Sequence, residues 1–146
     1  LQVADRHPEL GLNREFLQEA TMLHDIGITL VDAPGIHCHG TEPYIRHGLM
    51  GGEILRQEGL PMHARVAERH TGTGITREAI EKQGLPLPPA DYVPETLEEQ
   101  VVCYADKFFS KSHPEHEKTF DEALRSLWKF GPECAATMER WREQFD

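Results

Sequence analysis

A chain of 146 residues is long enough to bury one hydrophobic core without disulfides. Its formal charge of -10, from 25 acidic and 15 basic side chains, argues against non-specific nucleic-acid binding, which needs a basic surface. An acidic protein that handles an anionic substrate needs a local positive charge, and a bound metal ion supplies one. The three cysteines, Cys38, Cys103 and Cys134, are odd in number and lack CxxC spacing, so they are read as reduced thiols of a cytoplasmic protein. No apolar run approaches the roughly 20 residues of a membrane span, and no secretory leader pattern opens the chain.

Leu1 to His7 is expected to end a helix halted by Pro8, with PELGLN as connector. Asn13 is a good N-cap for a second helix, in which Phe16, Ala20 and Leu23 recur at helical spacing and Gly27 marks the stop. Residues 30–46 carry Pro34, Gly35, Gly40 and Pro43 and read as a long loop of the kind that is usually functional. Helices are expected at about 47–58, 61–70 and 76–83, followed by the connector LPLPPADYVP and a helix at about 95–111. Two amphipathic helices, about 117–130 and 132–145, are parted by Gly131-Pro132. Trp128, Trp141, Leu124, Leu127 and Met138 are expected to pack between them. No β-branched alternation argues for a sheet. The reading is all-α: one domain over 1–146, with a site-bearing core at about 15–110 and a C-terminal helical pair at about 117–145.

The informative signal is polar residues on stripes that should be apolar. His24 shares the inward face of its helix with Leu17 and Ala20, and Asp25 follows at the helix C-terminus, where the macrodipole disfavours an anion. Val102, Asp106 and Phe109 stand at i, i+4 and i+7, which puts a carboxylate on a core stripe, costly unless paired or bound to metal. His70 follows Val66 by four. His47 precedes Gly51-Gly52, a pair that lets another backbone or a ligand approach closely. Imidazoles and carboxylates suit divalent iron, manganese, zinc and similar ions. Each residue also has a plainer reading: a helix-end pair, an arginine's salt-bridge partner, a hydrogen-bonded or surface histidine. With nine histidines in the chain, some coincidence is expected, so the residues alone reach a candidate helical metal site and no further.

The segment EATMLHDIGI resembles the HD superfamily of metal-dependent phosphohydrolases, in its HDIG form. HGLMGGEIL, RHTGTGIT and YADKF are similar to that family's later elements, in the same order, and together they cover most of residues 15–110. The resemblance implies an all-helical fold in which His24, Asp25 and Asp106 ligate a first metal. Asp25 would bridge to a second metal held by His47 and His70. The family's first histidine would fall a few residues before Leu1, since His7 sits beside Pro8 at a helix end. Arg69-His70 stands where HD-GYP phosphodiesterases carry paired histidines, and the GYP triplet is absent, which disfavours a cyclic di-GMP phosphodiesterase.

The expected activity is hydrolysis of a small phosphate ester, a nucleotide first among them. One or two divalent ions (Fe, Mn, Zn, Ni, Co or Mg) would activate a water for in-line attack. Lys107 is expected to hydrogen-bond a phosphate or hold Asp25, and Arg46 and Arg69 to bind substrate; solvated surface charges are the competing reading for all three. His37 and His39, around Cys38, are expected to line the site entrance, and His63, His113 and His116 to lie on the surface. The alternatives are a non-catalytic HD-fold regulatory or ligand-binding domain and, third, hydrolysis of another bond or oxygen-dependent cleavage at a di-iron centre.

Overall fold

Caps and breakers written into the sequence set most helix limits in the computed structural model, which describes residues 1–36, 38–110 and 112–146. Among these residues the α-helices are α1 (Gln2–Arg6), α2 (Arg14–Leu23), α3 (His47–Gln57), α4 (Pro61–Glu68), α5 (Arg77–Gln83), α6 (Leu97–Asp106), α7 (Phe120–Leu127) and α8 (Pro132–Phe145). Asn13 accepts the Phe16 amide at 3.0 Å and opens α2. Thr76, Thr96 and Thr119 cap α5, α6 and α7, and the last two complete capping boxes with Glu99 and Glu122. Pro61 and Pro132 take the first turns of α4 and α8, where a missing N–H costs nothing.

The all-helical expectation holds, with two short antiparallel pairs added. Strand β1 (Asp32–Ala33) pairs with β2 (Cys38–His39) inside the 30–46 loop, Asp32 opposite His39. Strand β3 (Phe109–Ser110) pairs with β4 (His113–Glu117), whose five residues are all exposed. Strands this short, without a buried face, leave no alternation for a sequence to show.

Helix α6 is the centre of the core. Its consecutive residues Val101, Val102, Cys103 and Tyr104 are all buried, so it is packed on more than one side. Leu17 and Ala20 of α2 and Val66 of α4 join this cluster, as do Leu127 of α7 and Met138, Trp141 and Phe145 of α8. Leu55, Ala64 and Ala67 form a smaller cluster between α3 and α4. Glu99 is buried at the start of α6, where Arg65 donates to it at 2.9 Å and the Glu95 amide does so at 2.9 Å. Among the described residues no helix is long and apolar enough to cross a membrane.

Five expectations need correction. Helix α6 stops at Asp106 rather than near 111, because the chain turns at Lys107 into the β3–β4 hairpin. Phe109 therefore leaves the core stripe and is 53 % exposed. Trp128 lies in a 3-10 turn after α7 and is 55 % exposed, whereas Trp141 is buried. Gly27 does not end α2, which already stops at Leu23; it lies in a 3-10 turn (Ile26–Leu30) pressed against α3. His63 is half-buried rather than on the surface, bridging α4 to Glu19 of α2 at 2.9 Å.

Candidate metal centre

The candidate residues meet at helix ends, not along helix faces. His24 is the C-cap of α2, with Asp25 next to it; His47 is the first residue of α3; His70 follows the end of α4; Asp106 is the last residue of α6. Absent side chains bring these ends together. A Cβ on Gly48 would stand 2.5 Å from the Ala67 carbonyl oxygen, so α3 can pass this close to the end of α4 only with glycine there. A Cβ on Gly27 would collide with the His47 carbonyl and stand 2.5 Å from the Gly51 nitrogen. Glycine at 27 and 51 thus seats Asp25 against the start of α3.

Within the cluster, His24 Nε2 lies 3.2 Å from Asp25 Oδ2 and 3.2 Å from Asp106 Oδ1. Asp25 Oδ1 lies 3.4 Å from His47 Nε2 and 3.2 Å from His70 Nε2, and those two nitrogens are 3.0 Å apart. Each imidazole is held the same way. Nδ1 donates to the carbonyl three residues earlier: His24 to Thr21 at 2.6 Å, His47 to Tyr44 at 2.8 Å, His70 to Ala67 at 2.7 Å. A carbonyl can only accept, so Nδ1 carries the hydrogen and the Nε2 lone pairs face inward. Two lone pairs 3.0 Å apart, beside two carboxylates, repel one another unless a cation sits among them. The donor set fits a divalent metal: His24, His70 and Asp106 form one group with ligand atoms within 4.8 Å, and Asp25, His47 and His70 another.

Protons supply part of that positive charge in the protein alone. Burial opposes charge on His24, but its hydrogen bonds with Asp106 and Asp25 outweigh this and push its pKa up to about 10. Burial pushes His70 down, against the pull of Asp25, so it stays neutral. Asp25, despite burial, is held well below the usual carboxylate range, first by its hydrogen bond with His24. Asp106, also opposed by burial, is held down by the Lys107 ammonium and by His24. Lys107 Nζ donates to Asp106 Oδ2 at 2.8 Å and to the His70 carbonyl at 2.7 Å, so it ties α6 to the end of α4. Behind it Cys103, fully buried with its thiol pushed up to about 12 by burial, points at the carbonyls of His70 and Gly72.

The cluster is open on two sides. A cavity of about 430 Å³ reaches His47, His70, Asp106 and Lys107. Another, of about 340 Å³, reaches His24, Asp25 and Asp106 past Val102 and Ala105. The family model for the HD domain matches residues 2–110. The chain belongs to the HD domain family. An uncharacterized protein of Methanocaldococcus jannaschii is 43% identical to this HD domain over 108 residues, 73% of the chain and 56% of that protein. Two proteins named tRNA (cytidine(56)-2'-O)-methyltransferase are also similar. The one from Picrophilus torridus is 39% identical over 99 residues, 67% of this chain and 25% of its own length. That from Thermoplasma volcanium is 41% identical over 90 residues, 61% of this chain and 23% of its own. The chain thus spans between about a quarter and a little over half of these relatives. No solved structure matches it.

Some expected site residues of the HD domain lie elsewhere. Arg69 donates to the carbonyl of Val93 at 2.8 Å and to Glu95 at 2.9 Å, so it clasps the 91–95 connector. Arg46 reaches the Pro86 carbonyl at 3.5 Å and Glu42 at 3.4 Å. Neither guanidinium lines the cavities that touch the cluster, because both are spent on holding the connector. His39 is exposed on β2 and lines neither cavity; His37 lies outside the described residues. His7 bonds Glu9 and the Asp146 carbonyl. Sequence reasoning missed Tyr44, Phe109, Lys118 and Ser126, which line the larger cavity. Nothing local marks them, since their common feature is proximity to the cluster in space.

Proposed function

We propose that this HD domain is a metal-dependent phosphohydrolase acting on a small phosphate ester, with residues 1–146 as one functional unit. The observation that carries the reading is the convergence of three oriented Nε2 atoms on two carboxylates, with the His47 and His70 lone pairs only 3.0 Å apart, an arrangement that calls for a cation. His24, Asp25 and Asp106 would hold a first divalent ion, and Asp25, His47 and His70 a second, with Asp25 shared. Iron, manganese, zinc, nickel, cobalt and magnesium are all compatible with such ligands to different degrees. When bound, the ion acts as a Lewis acid, lowering the pKa of a water and drawing charge from phosphoryl oxygens.

The chain's own residues do the rest. The carbonyls of Thr21, Tyr44 and Ala67 fix the imidazole tautomers, so no reorientation is needed at the moment of reaction. Lys107, 9 % exposed, keeps Asp106 ionised and in place and lends positive charge to the cavity. That makes it first a positioning residue. A nucleotide remains the leading substrate class for a cavity with half-exposed Tyr44 and Phe109 at its edge.

The test is phosphate release from a panel of nucleotides and simple phosphate esters by purified protein with manganese or iron. Asp25→Ala is expected to lower release by at least about 1,000-fold. Release that survives this substitution would sink the proposal. A second reading is favoured by the relatives, two of which are named as tRNA methyltransferases and are about four times as long as the matched segment. There the domain would be a non-catalytic ligand-binding module of a longer protein that works on tRNA. Elemental analysis separates the two, because protein purified without any bound metal supports the module.

A further inference from the structure

The larger cavity has a wall that the family match does not reach. The match ends at residue 110, and Lys118, Leu127, Ser126 and Phe130 lie beyond it, facing the same space as His47, His70 and Asp106. We propose that Lys118, seated against Ser126, binds a second anionic group on the substrate. The domain then takes a small phosphate ester that also carries a carboxylate or another phosphate.

Lys118 is anchored at both ends. Its amide donates to the Phe108 carbonyl at 2.7 Å, which closes the hairpin, and Thr119 beside it caps α7. Its Nζ donates to Ser126 Oγ at 3.2 Å, while that hydroxyl donates to the Glu122 carbonyl at 3.0 Å. The serine's hydrogen is thus committed, its lone pairs steer the ammonium, and the remaining N–H groups of the lysine are available to a ligand. Among the described residues no carboxylate lies within 4.0 Å of this ammonium. In a chain with 25 acidic and 15 basic side chains, a half-buried lysine without such a partner at a cavity wall is a place for an external anion. Ser110, on the facing strand β3, adds a further hydroxyl to the same space.

Size narrows the class. At about 430 Å³ the cavity is near the lower end of the range for small-molecule sites, which suits a compact metabolite better than an oligonucleotide. The cluster and Lys107 would take the reacting phosphate and Lys118 the distal anion. This division of labour rests on the phosphohydrolase reading for the ligand's direction, but the anion site itself does not.

The experiment is calorimetric binding to the magnesium-loaded protein of two isosteric probes, 3-phosphoglycerate and glycerol 3-phosphate, which differ in a carboxylate. A bisphosphate, 1,3-propanediol bisphosphate, is the second anionic arm. The parent is expected to bind the two probes that carry an anionic group at each end about tenfold tighter than glycerol 3-phosphate. Lys118→Met should erase the preference and Lys118→Arg retain it. If Lys118→Met does not fold, Lys118→Gln provides the same comparison. A parent without the preference, or a preference unchanged in Lys118→Met, overturns the proposal; a preference for only one arm identifies the group. Loss of phosphate release from every ester, with the binding preference intact, would remove the hydrolase reading and leave the anion site. Release without the preference would remove the anion site alone.

Discussion

Gly27→Ala tests whether backbone contact, rather than side-chain packing, assembles the centre. The new Cβ would collide with the His47 carbonyl and stand 2.5 Å from the Gly51 nitrogen. Both are main-chain atoms of α3, with no rotamer to turn aside. Ordinary contact requires the Ile26–Leu30 turn and α3 to separate by roughly 1 Å, an overpacking that costs about 3 kcal/mol. For a chain of 146 residues this corresponds to a melting temperature lower by roughly 10 °C. The same displacement carries Asp25 away from His47 and His70, so added manganese should stabilise the variant less than the parent. The assay is thermal unfolding followed by circular dichroism, with and without manganese. Gly52→Ala is the control: the nearest atoms to its Cβ all belong to the Glu68 side chain rather than to backbone, so the loss should be smaller. A Gly27→Ala protein that melts within about 2 °C of the parent and responds fully to manganese refutes the argument.

Other consequences can be measured separately. With its pKa raised to about 10, metal-free His24 carries a proton at neutral pH, so metal binding must displace it. Calorimetry in buffers of different ionisation enthalpy should show about one proton released per metal bound, with affinity rising with pH up to about 10; no release contradicts the ligand assignment. By the same linkage, the metal-free fold gains stability from His24 below its unfolded value, and loses it as pH rises through about 10. Glu99, buried but held below its ordinary pKa chiefly by the Glu95 amide and Arg65, stabilises the fold above about pH 4.5. That contribution is lost as pH falls through the lower folded value. Glu99→Gln should cost about 2 kcal/mol at neutral pH and flatten the acid limb of the stability profile, as followed by urea unfolding. Trp141→Ala should cost about 4 kcal/mol and Trp128→Ala under about 0.5, because only Trp141 is buried; equal losses in denaturant unfolding would contradict that burial.

Most helices and their starts were legible in the amino-acid sequence; the exception is the helix expected from about 117, which opens at Phe120 after strand β4. Asn13, Thr76, Thr96 and Thr119 act through hydrogen bonds to amides three residues away, so their effect is local and legible. Periodicity also singled out His24, Asp25, His47, His70 and Asp106, because a polar group on an apolar stripe is a local anomaly. How they meet depends on the packing of the helices. They gather at helix ends through close approaches at Gly27, Gly48 and Gly51, and a glycine reads the same in sequence whether it ends a helix or admits a neighbour. Packing also sets Arg46 and Arg69 against the connector and brings Lys118 to the cavity. Their surroundings, Pro86, Val93 and a cavity shared with the His–Asp cluster, are brought beside them only by folding, since side-chain partnership depends on distance in space and not on spacing along the chain.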